Sequence, residues 1–403
     1  MRFIAALLAG GLLAGHAAAA DRGLDQARLQ RLEKLIQADI DRGRIPGAVM
    51  LIARDGKVVM NKALGKQDVE KNLPMRADSI FRIYSMTKPI VSVAAMMLVE
   101  EGKLQLSDPV FTHIPELKDL KVGVEKGDGM DLVAAVRQPT VHDIFRHTSG
   151  FTYGVFGKNL VKEEYKKAGV DSWDQTNNEF IKRLASVPLM SQPGTQWEYS
   201  RSVDVLGVVI ERVSGQTLDK FLEERIFKPL GMKDSGFWVP GEQQARIAEP
   251  LPVDPDTKQP QKLAEIRQAP KLLSGGGGGV STAGDYLKFA QMMLNGGELN
   301  GKRILARKTV EYMTTDHTGG VRGPAYLPGA GYGFGLGVAV RLQDGLATTP
   351  GSVGDYNWGG LGGTYFWVDP KEKLIAIWMM QAPNQRGYYR GIYRDMVYAA
   401  MTK

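Results

Sequence analysis

The chain has 403 residues, 43% hydrophobic and 24% charged. That is enough for a large core and exceeds one typical domain of about 100–200 residues. Cysteine is absent, which excludes disulfides, thiolate metal sites and cysteine nucleophiles together. The formal net charge is +7, but the lysines and arginines are scattered without a basic block or nucleic-acid motif, so nucleic acid is not an expected partner.

Residues 1–20 have the pattern of a secretory leader: Arg2, an apolar run from Phe3 to Leu13, and Ala18-Ala19-Ala20 before Asp21. The run is shorter than the roughly 20 apolar residues of a membrane span. The expected mature protein is therefore periplasmic or secreted, with no stable membrane anchor once the leader is removed. Leu24 to Arg42 then places Leu29, Leu32, Leu35, Ile36 and Ile40 at helical spacing. Gly47 to Ala53 and Lys57 to Leu64 read as strands joined by an Asp55-Gly56 turn.

Ser85-Met86-Thr87-Lys88 is the one S-x-x-K in the chain, and the residues after it, Pro89 to Val99, are apolar on nearly every side. That pattern predicts a helix buried all round, and Pro89 places its start close to Ser85. A spacing of three brings the Ser85 hydroxyl and the Lys88 amine onto one face. A serine hydroxyl needs a neighbouring base to become a nucleophile, and burial is expected to lower the lysine pKa far enough to serve. The N–H groups of the helix start also face a developing oxyanion. Taken by itself the motif fits a capping serine followed by a surface lysine. At the mouth of a fully buried helix, however, the lysine has no surface to reach, which favours the catalytic reading.

Beyond Leu106 the chain is richer in helical periods, notably Val203 to Val213, stopped by Gly215, and Leu218 to Phe227, stopped by Pro229-Leu230-Gly231. Pro240 to Gln268 reads as loop. Gly275 to Gly279 lacks the Lys-Ser/Thr of a phosphate loop and reads as a flexible or close-packed turn. Ser281 sits in a faint G-x-S-x-A echo of a hydrolase elbow and is read as a helix cap before Asp285. His142 and His147 are read as structural, and no metal site or cofactor is indicated. Thr364 to Val368 and Lys373 to Gln381 predict a second hairpin around Asp369-Pro370, followed by a helix from Ile392 to Met401. The expected fold is α/β (α+β): an antiparallel sheet flanked by helices and completed by both ends of the chain. Residues 21–105 plus 270–403 would form the α/β domain, and 106–269 an inserted, mostly helical one.

Several stretches recur in a familiar order: Phe81 to Ile90 (F-R-I-Y-S-M-T-K-P-I), Glu101 to Val110 (E-G-K-L-Q-L-S-D-P-V), Arg146 to Gly154 (R-H-T-S-G-F-T-Y-G), Pro193 to Ser200 (P-G-T-Q-W-E-Y-S), Ser274 to Tyr286 and Trp358 to Thr364 (W-G-G-L-G-G-T). Together they resemble the serine β-lactamase and penicillin-binding superfamily. More narrowly, the chain is similar to the carboxylesterases that share the class C β-lactamase fold, the family VIII type.

The resemblance implies Ser85 as nucleophile and Lys88 as its partner. Tyr199-Ser200-Arg201 stands where the family has Tyr-x-Asn, so Tyr199 would share general acid–base work and Arg201 replaces the asparagine. For the family's Lys-Thr-Gly motif two stretches compete, His317-Thr318-Gly319 by letter and Trp358-Gly359-Gly360 by position ahead of a strand; the second is chosen. The Ser85 and Leu361 N–H groups would then form the oxyanion hole. Tyr153, Arg201, Trp358, Gly359 and Gly360 would contact substrate. A lysine at position 358 would pair with a substrate carboxylate, whereas tryptophan offers apolar surface and one N–H. Small uncharged esters are thus the expected substrates, although Arg386 is a cation that a β-lactam carboxylate could use. The alternatives are a β-lactamase or D-alanyl-D-alanine carboxypeptidase, and a catalytically silent binding protein, which would need none of Ser85, Lys88 and Tyr199.

Overall fold

The computed structural model describes residues 22–402; the expected leader, residues 1–20, lies outside them. The helix α1 (Gln26–Asp41) starts where Asp25 accepts from the Arg28 N–H at 3.0 Å, and it buries Leu29, Leu32 and Ile36. Strands β1 (Gly47–Arg54) and β2 (Lys57–Asp68) follow as a hairpin. Their two turn residues, Asp55 and Gly56, both have positive φ, 51° and 71°, as the right-handed twist of a tight hairpin demands.

Six further strands complete the sheet: β3 (Leu73–Pro74), β4 (Tyr332–Phe334), β5 (Ala339–Arg341), β6 (Tyr356–Gly359), β7 (Tyr365–Asp369) and β8 (Leu374–Met379). Their order is β4-β5-β6-β7-β8-β1-β2-β3, antiparallel throughout. The two ends of the chain meet in the middle, with Val49 opposite Met379 and Arg54 opposite Leu374. Four more long helices are α2 (Thr87–Glu100), α3 (Ser202–Ser214), α4 (Ala283–Leu294) and α5 (Arg386–Ala399). Alternation along β1 sends Val49, Leu51 and Ala53 into the core shared with α2, α3 and α4. Ala48, Met50 and Ile52 go into a second core against α1 and α5. A strand buried on both faces explains why Gly47 to Ala53 carries no polar residue.

Several elements differ from their expected outlines. Residues 106–269 hold a β-hairpin, Lys121–Lys126 with Gly129–Ala134, besides helices such as Val141–Phe145, Leu160–Lys167 and Asn177–Ala185. The helix expected over 218–227 is regular only to Leu222. It widens into a π turn over Glu223–Phe227, continues through Pro229 in a last turn, Lys228–Leu230, and ends at Gly231, whose φ of 67° is left-handed. The last helix starts at Arg386, six residues before the expected Ile392. Its buried stripe is Tyr389, Tyr393 and Val397, and glycines at 387 and 391 hide the first turns from a search for apolar runs. Ser281 is not a cap: it pairs with Phe81 in a two-stranded bridge, and Thr282 caps α4 by accepting from the Asp285 N–H at 3.1 Å. Among the described residues no helix is long and apolar enough to cross a membrane.

Candidate active site

The bridge of Phe81–Arg82 with Val280–Ser281 delivers the chain to the foot of α2. There Tyr84 takes a left-handed backbone, φ 44°, which a non-glycine residue adopts at a cost of order 1–3 kcal/mol unless its surroundings enforce it. They do. The Thr87 hydroxyl donates to the Tyr84 carbonyl oxygen at 2.6 Å and accepts from the Gly279 N–H at 2.9 Å. The Ala264 N–H donates to the Tyr84 phenol oxygen at 3.1 Å. Tyr84–Met86 form one tight 3-10 turn, and Ser85 within it borders a cleft of about 1450 Å³.

One turn on, Lys88 has no solvent exposure, as the buried helix requires. Its ammonium donates to the Gly276 carbonyl oxygen at 2.7 Å, the Tyr153 phenol oxygen at 3.2 Å and Ser85 Oγ at 3.4 Å. It also lies 4.5 Å from the centre of the Tyr199 ring. The expected lowering of its pKa is overturned. Burial does pull it down, but Tyr153, Tyr199 and the Asp204 carboxylate pull harder the other way, and the net shift is upward. At neutral pH the group rests as ammonium, so this cluster must release a proton before it can take one from Ser85.

The glycine run is close-packed rather than loose. A Cβ at position 275 would lie 2.5 Å from the Val203 carbonyl oxygen, and one at 279 would lie 2.6 Å from the Thr87 hydroxyl. Asp204 Oδ1 accepts from the Ser274 hydroxyl at 2.5 Å and from the Gly276 N–H at 3.1 Å, holding the turn that presents the Gly276 carbonyl to Lys88. Arg201, nearly buried, borders the cleft with its Nε 3.5 Å from Asp204 and 3.8 Å from Asp171, and its guanidinium lies 5.6 Å from the Tyr153 ring centre. The residue in the asparagine's place is thus charge-balanced by two carboxylates behind Tyr153.

Of the two stretches competing for the third motif, Trp358-Gly359-Gly360 borders the cleft. Trp358 packs its ring 5.5 Å from Tyr199 and 5.2 Å from Phe334, and its indole N–H has no partner among the described residues. His317-Thr318-Gly319 is outside the lining: His317 pairs with His142 at 2.9 Å, and the Thr318 hydroxyl donates to Asp316 at 2.6 Å. His147 is buried against Trp197 and Tyr199, with Nδ1 3.1 Å from the Ser200 hydroxyl, the structural role expected of it.

The turn after β6 abuts the segment that leads into Ser85. A Cβ at Gly360 would collide with the Ile83 carbonyl oxygen, and one at Gly362 would lie 2.9 Å from the Tyr84 ring. Among the described residues, no backbone hydrogen bond outside the helices and strands uses the Ser85 or Leu361 N–H. Val155, Phe156, Trp173, Leu327 and Leu346 are exposed apolar residues of the lining, and Arg386 also borders the cleft. Among the described residues no three His, Asp or Glu are grouped to hold a metal ion. Sequence reasoning missed Gly276 and Asp204, and gave Tyr153 only a substrate contact, because no spacing rule links any of them to Ser85.

An antiparallel sheet between two helical layers, with a serine at the foot of the buried helix and a lysine one turn on, is a serine hydrolase on the β-lactamase/transpeptidase fold. The chain belongs to the β-lactamase family, whose model, described as Beta-lactamase, matches residues 32–399. Esterase EstB of Burkholderia gladioli is 33% identical, covering 93% of this chain and 97% of its own. Lovastatin esterase of Penicillium rubens is 29% identical over 87% of this chain and 92% of its own. Among solved structures, EstCE1, described as a hydrolase with promiscuous acyltransferase activity, superposes with a TM-score of 0.79 at 30% identity, covering 93% of this chain and 99% of that one.

Proposed function

We propose that this protein cleaves small uncharged carboxylic esters through an acyl-enzyme on Ser85. The observation that carries the reading is the Ser85–Lys88 pair, 3.4 Å apart between two phenols, at a cleft that Trp358 also lines. Ser85 Oγ adds to the ester carbonyl while its proton passes to the Lys88–Tyr199 cluster. The carbonyl oxygen takes the negative charge and accepts from the Ser85 and Leu361 N–H groups. As the intermediate collapses the alcohol leaves with a proton from Tyr199, and water then hydrolyses the acyl-serine to the acid. The esterases among the relatives support this reading, and the apolar walls suit an uncharged acyl or alcohol group.

Arg386 at the cleft favours the second reading, a β-lactamase or D-alanyl-D-alanine carboxypeptidase that binds a carboxylate there. Turnover of p-nitrophenyl butyrate and of a chromogenic cephalosporin, measured side by side with Ser85→Ala as control, separates the two. Ester turnover that dominates and disappears in the folded Ser85→Ala protein is the expected result; dominant cephalosporin turnover would replace it with the second reading. Export rests on residues 1–20 alone, and N-terminal sequencing of protein from the periplasm, beginning at Asp21, is its test.

A further inference from the structure

Arg390, on the helix α5, is half-buried and has no carboxylate partner among the described residues. Its Nη2 donates instead to two backbone carbonyls of the turn after β6: Gly360, and Thr364 at 3.2 Å. Gly359 makes room for it, since a Cβ there would lie 2.5 Å from the guanidinium carbon. The adjacent glycine faces the other way, against Ile83, two residues before the nucleophile. Arg390, which itself borders the cleft, therefore holds one side of this turn and the foot of α2 abuts the other.

The Gly360 carbonyl and the Leu361 N–H belong to one peptide unit. The described chain has no cis peptide bond, and in a planar trans peptide the two groups point in opposite directions. Holding the carbonyl toward Arg390 therefore aims the Leu361 N–H away from it, toward the Ser85 side. Within the four glycines around Leu361, Gly359 to Gly363, the Gly363 N–H also donates to this carbonyl at 3.1 Å, so Arg390 adds a charged donor to the turn's own single hydrogen bond. A cation donating to the carbonyl also polarises the unit and makes its N–H the stronger donor.

We infer that Arg390 is a positioning residue that fixes and polarises the Gly360–Leu361 peptide as half of the oxyanion hole. The inference rests on the ester-hydrolase reading above and deepens it. Arg390 touches no reacting atom in this scheme. It acts only on the transition state, through Leu361, so its loss lowers kcat and leaves KM nearly unchanged.

The test compares wild type, Arg390→Ala, Arg390→Lys and Ser85→Ala on p-nitrophenyl butyrate, with circular dichroism to show folding. A second readout is inhibition by a phenyl trifluoromethyl ketone, to which the serine oxygen adds and whose carbonyl oxygen becomes the anion. Arg390→Ala is expected to lose about 10- to 100-fold in kcat with KM within about threefold, and to lose affinity for the ketone by the same factor. Millimolar guanidinium should restore part of both, and Arg390→Lys should fall between. A folded alanine variant with unchanged kcat, or one whose loss lies only in KM, overturns the proposal. If the alanine variant does not fold, the lysine variant decides by the same split. Full turnover in Ser85→Ala would instead bring down the nucleophile reading, and this proposal with it.

Discussion

The Lys88 ammonium lies 2.7 Å from the Gly276 carbonyl oxygen, closer than its 3.4 Å to Ser85 Oγ. A backbone carbonyl is a partner that cannot ionise, so it anchors the charge whatever the state of the phenols beside it. With the Lys88 pKa raised, the productive, proton-deficient form of the cluster is scarce at neutral pH and grows as pH rises. The acylation rate of the wild-type protein should therefore climb from pH 7 into the alkaline range, measured as kcat/KM on a phenyl ester. A plateau already complete below pH 7 would contradict the raised value. Lys88→Met should lose about 10²–10⁴-fold at every pH.

The two phenols should behave differently when removed. Tyr153 is a principal cause of the upward shift of Lys88 and accepts a hydrogen bond from it. Tyr153→Phe removes that support, so the rising limb of kcat/KM should move toward acid while substantial activity is retained. Tyr199→Phe removes the proton donor assigned to the leaving alcohol and should cost about 10²–10⁴-fold without that acidward displacement. A pH series on both variants reads the difference.

Gly275 is tightly constrained. Its Cβ would meet the Val203 carbonyl oxygen, part of the α3 backbone, at 2.5 Å, and neither chain can yield without disturbing the Lys88 acceptor one residue on. Gly275→Ala should destabilise the fold by about 1–3 kcal/mol and lower activity as well. Thermal unfolding and ester turnover on the same sample check both.

Acid should weaken the fold through His142. Burial first, then Arg146 and His317, hold its pKa down to about 4, against about 6.5 in the unfolded chain. Between these values the unfolded chain takes up a proton that the folded one refuses, so stability falls as pH falls through this window. The loss, allowing for partial solvent access, is about 2 kcal/mol and is complete below pH 4. Denaturant titrations from pH 7 to 4 should show the slope, and His142→Gln should flatten it.

Motifs that are local in sequence were the legible ones. Ser85 and Lys88 sit three apart on a helix whose burial is written in Pro89 to Val99, and the Asp55-Gly56 turn fixes the first hairpin. What escaped was built across the chain. Gly276 reaches Lys88 over 188 residues, and Arg390 reaches Gly360 from a helix whose first turns carry two glycines. The sign of the Lys88 shift escaped for the same reason, since burial alone points down and only the assembled phenols and Asp204 reverse it. The Lys121–Ala134 hairpin lies mostly at the surface, where its alternation has little core to match.

The pairing of β1 with β8 has a bearing on how the molecule is made. Strand β1 leaves the ribosome well before its partner across Val49, Met379, so the centre of the sheet stays open until the long intervening chain has been synthesised. Pairings this distant close slowly. Until then a strand apolar on both faces is an exposed, sticky edge. Between the synthesis of these two strands the nascent chain would therefore be a ready client for chaperones.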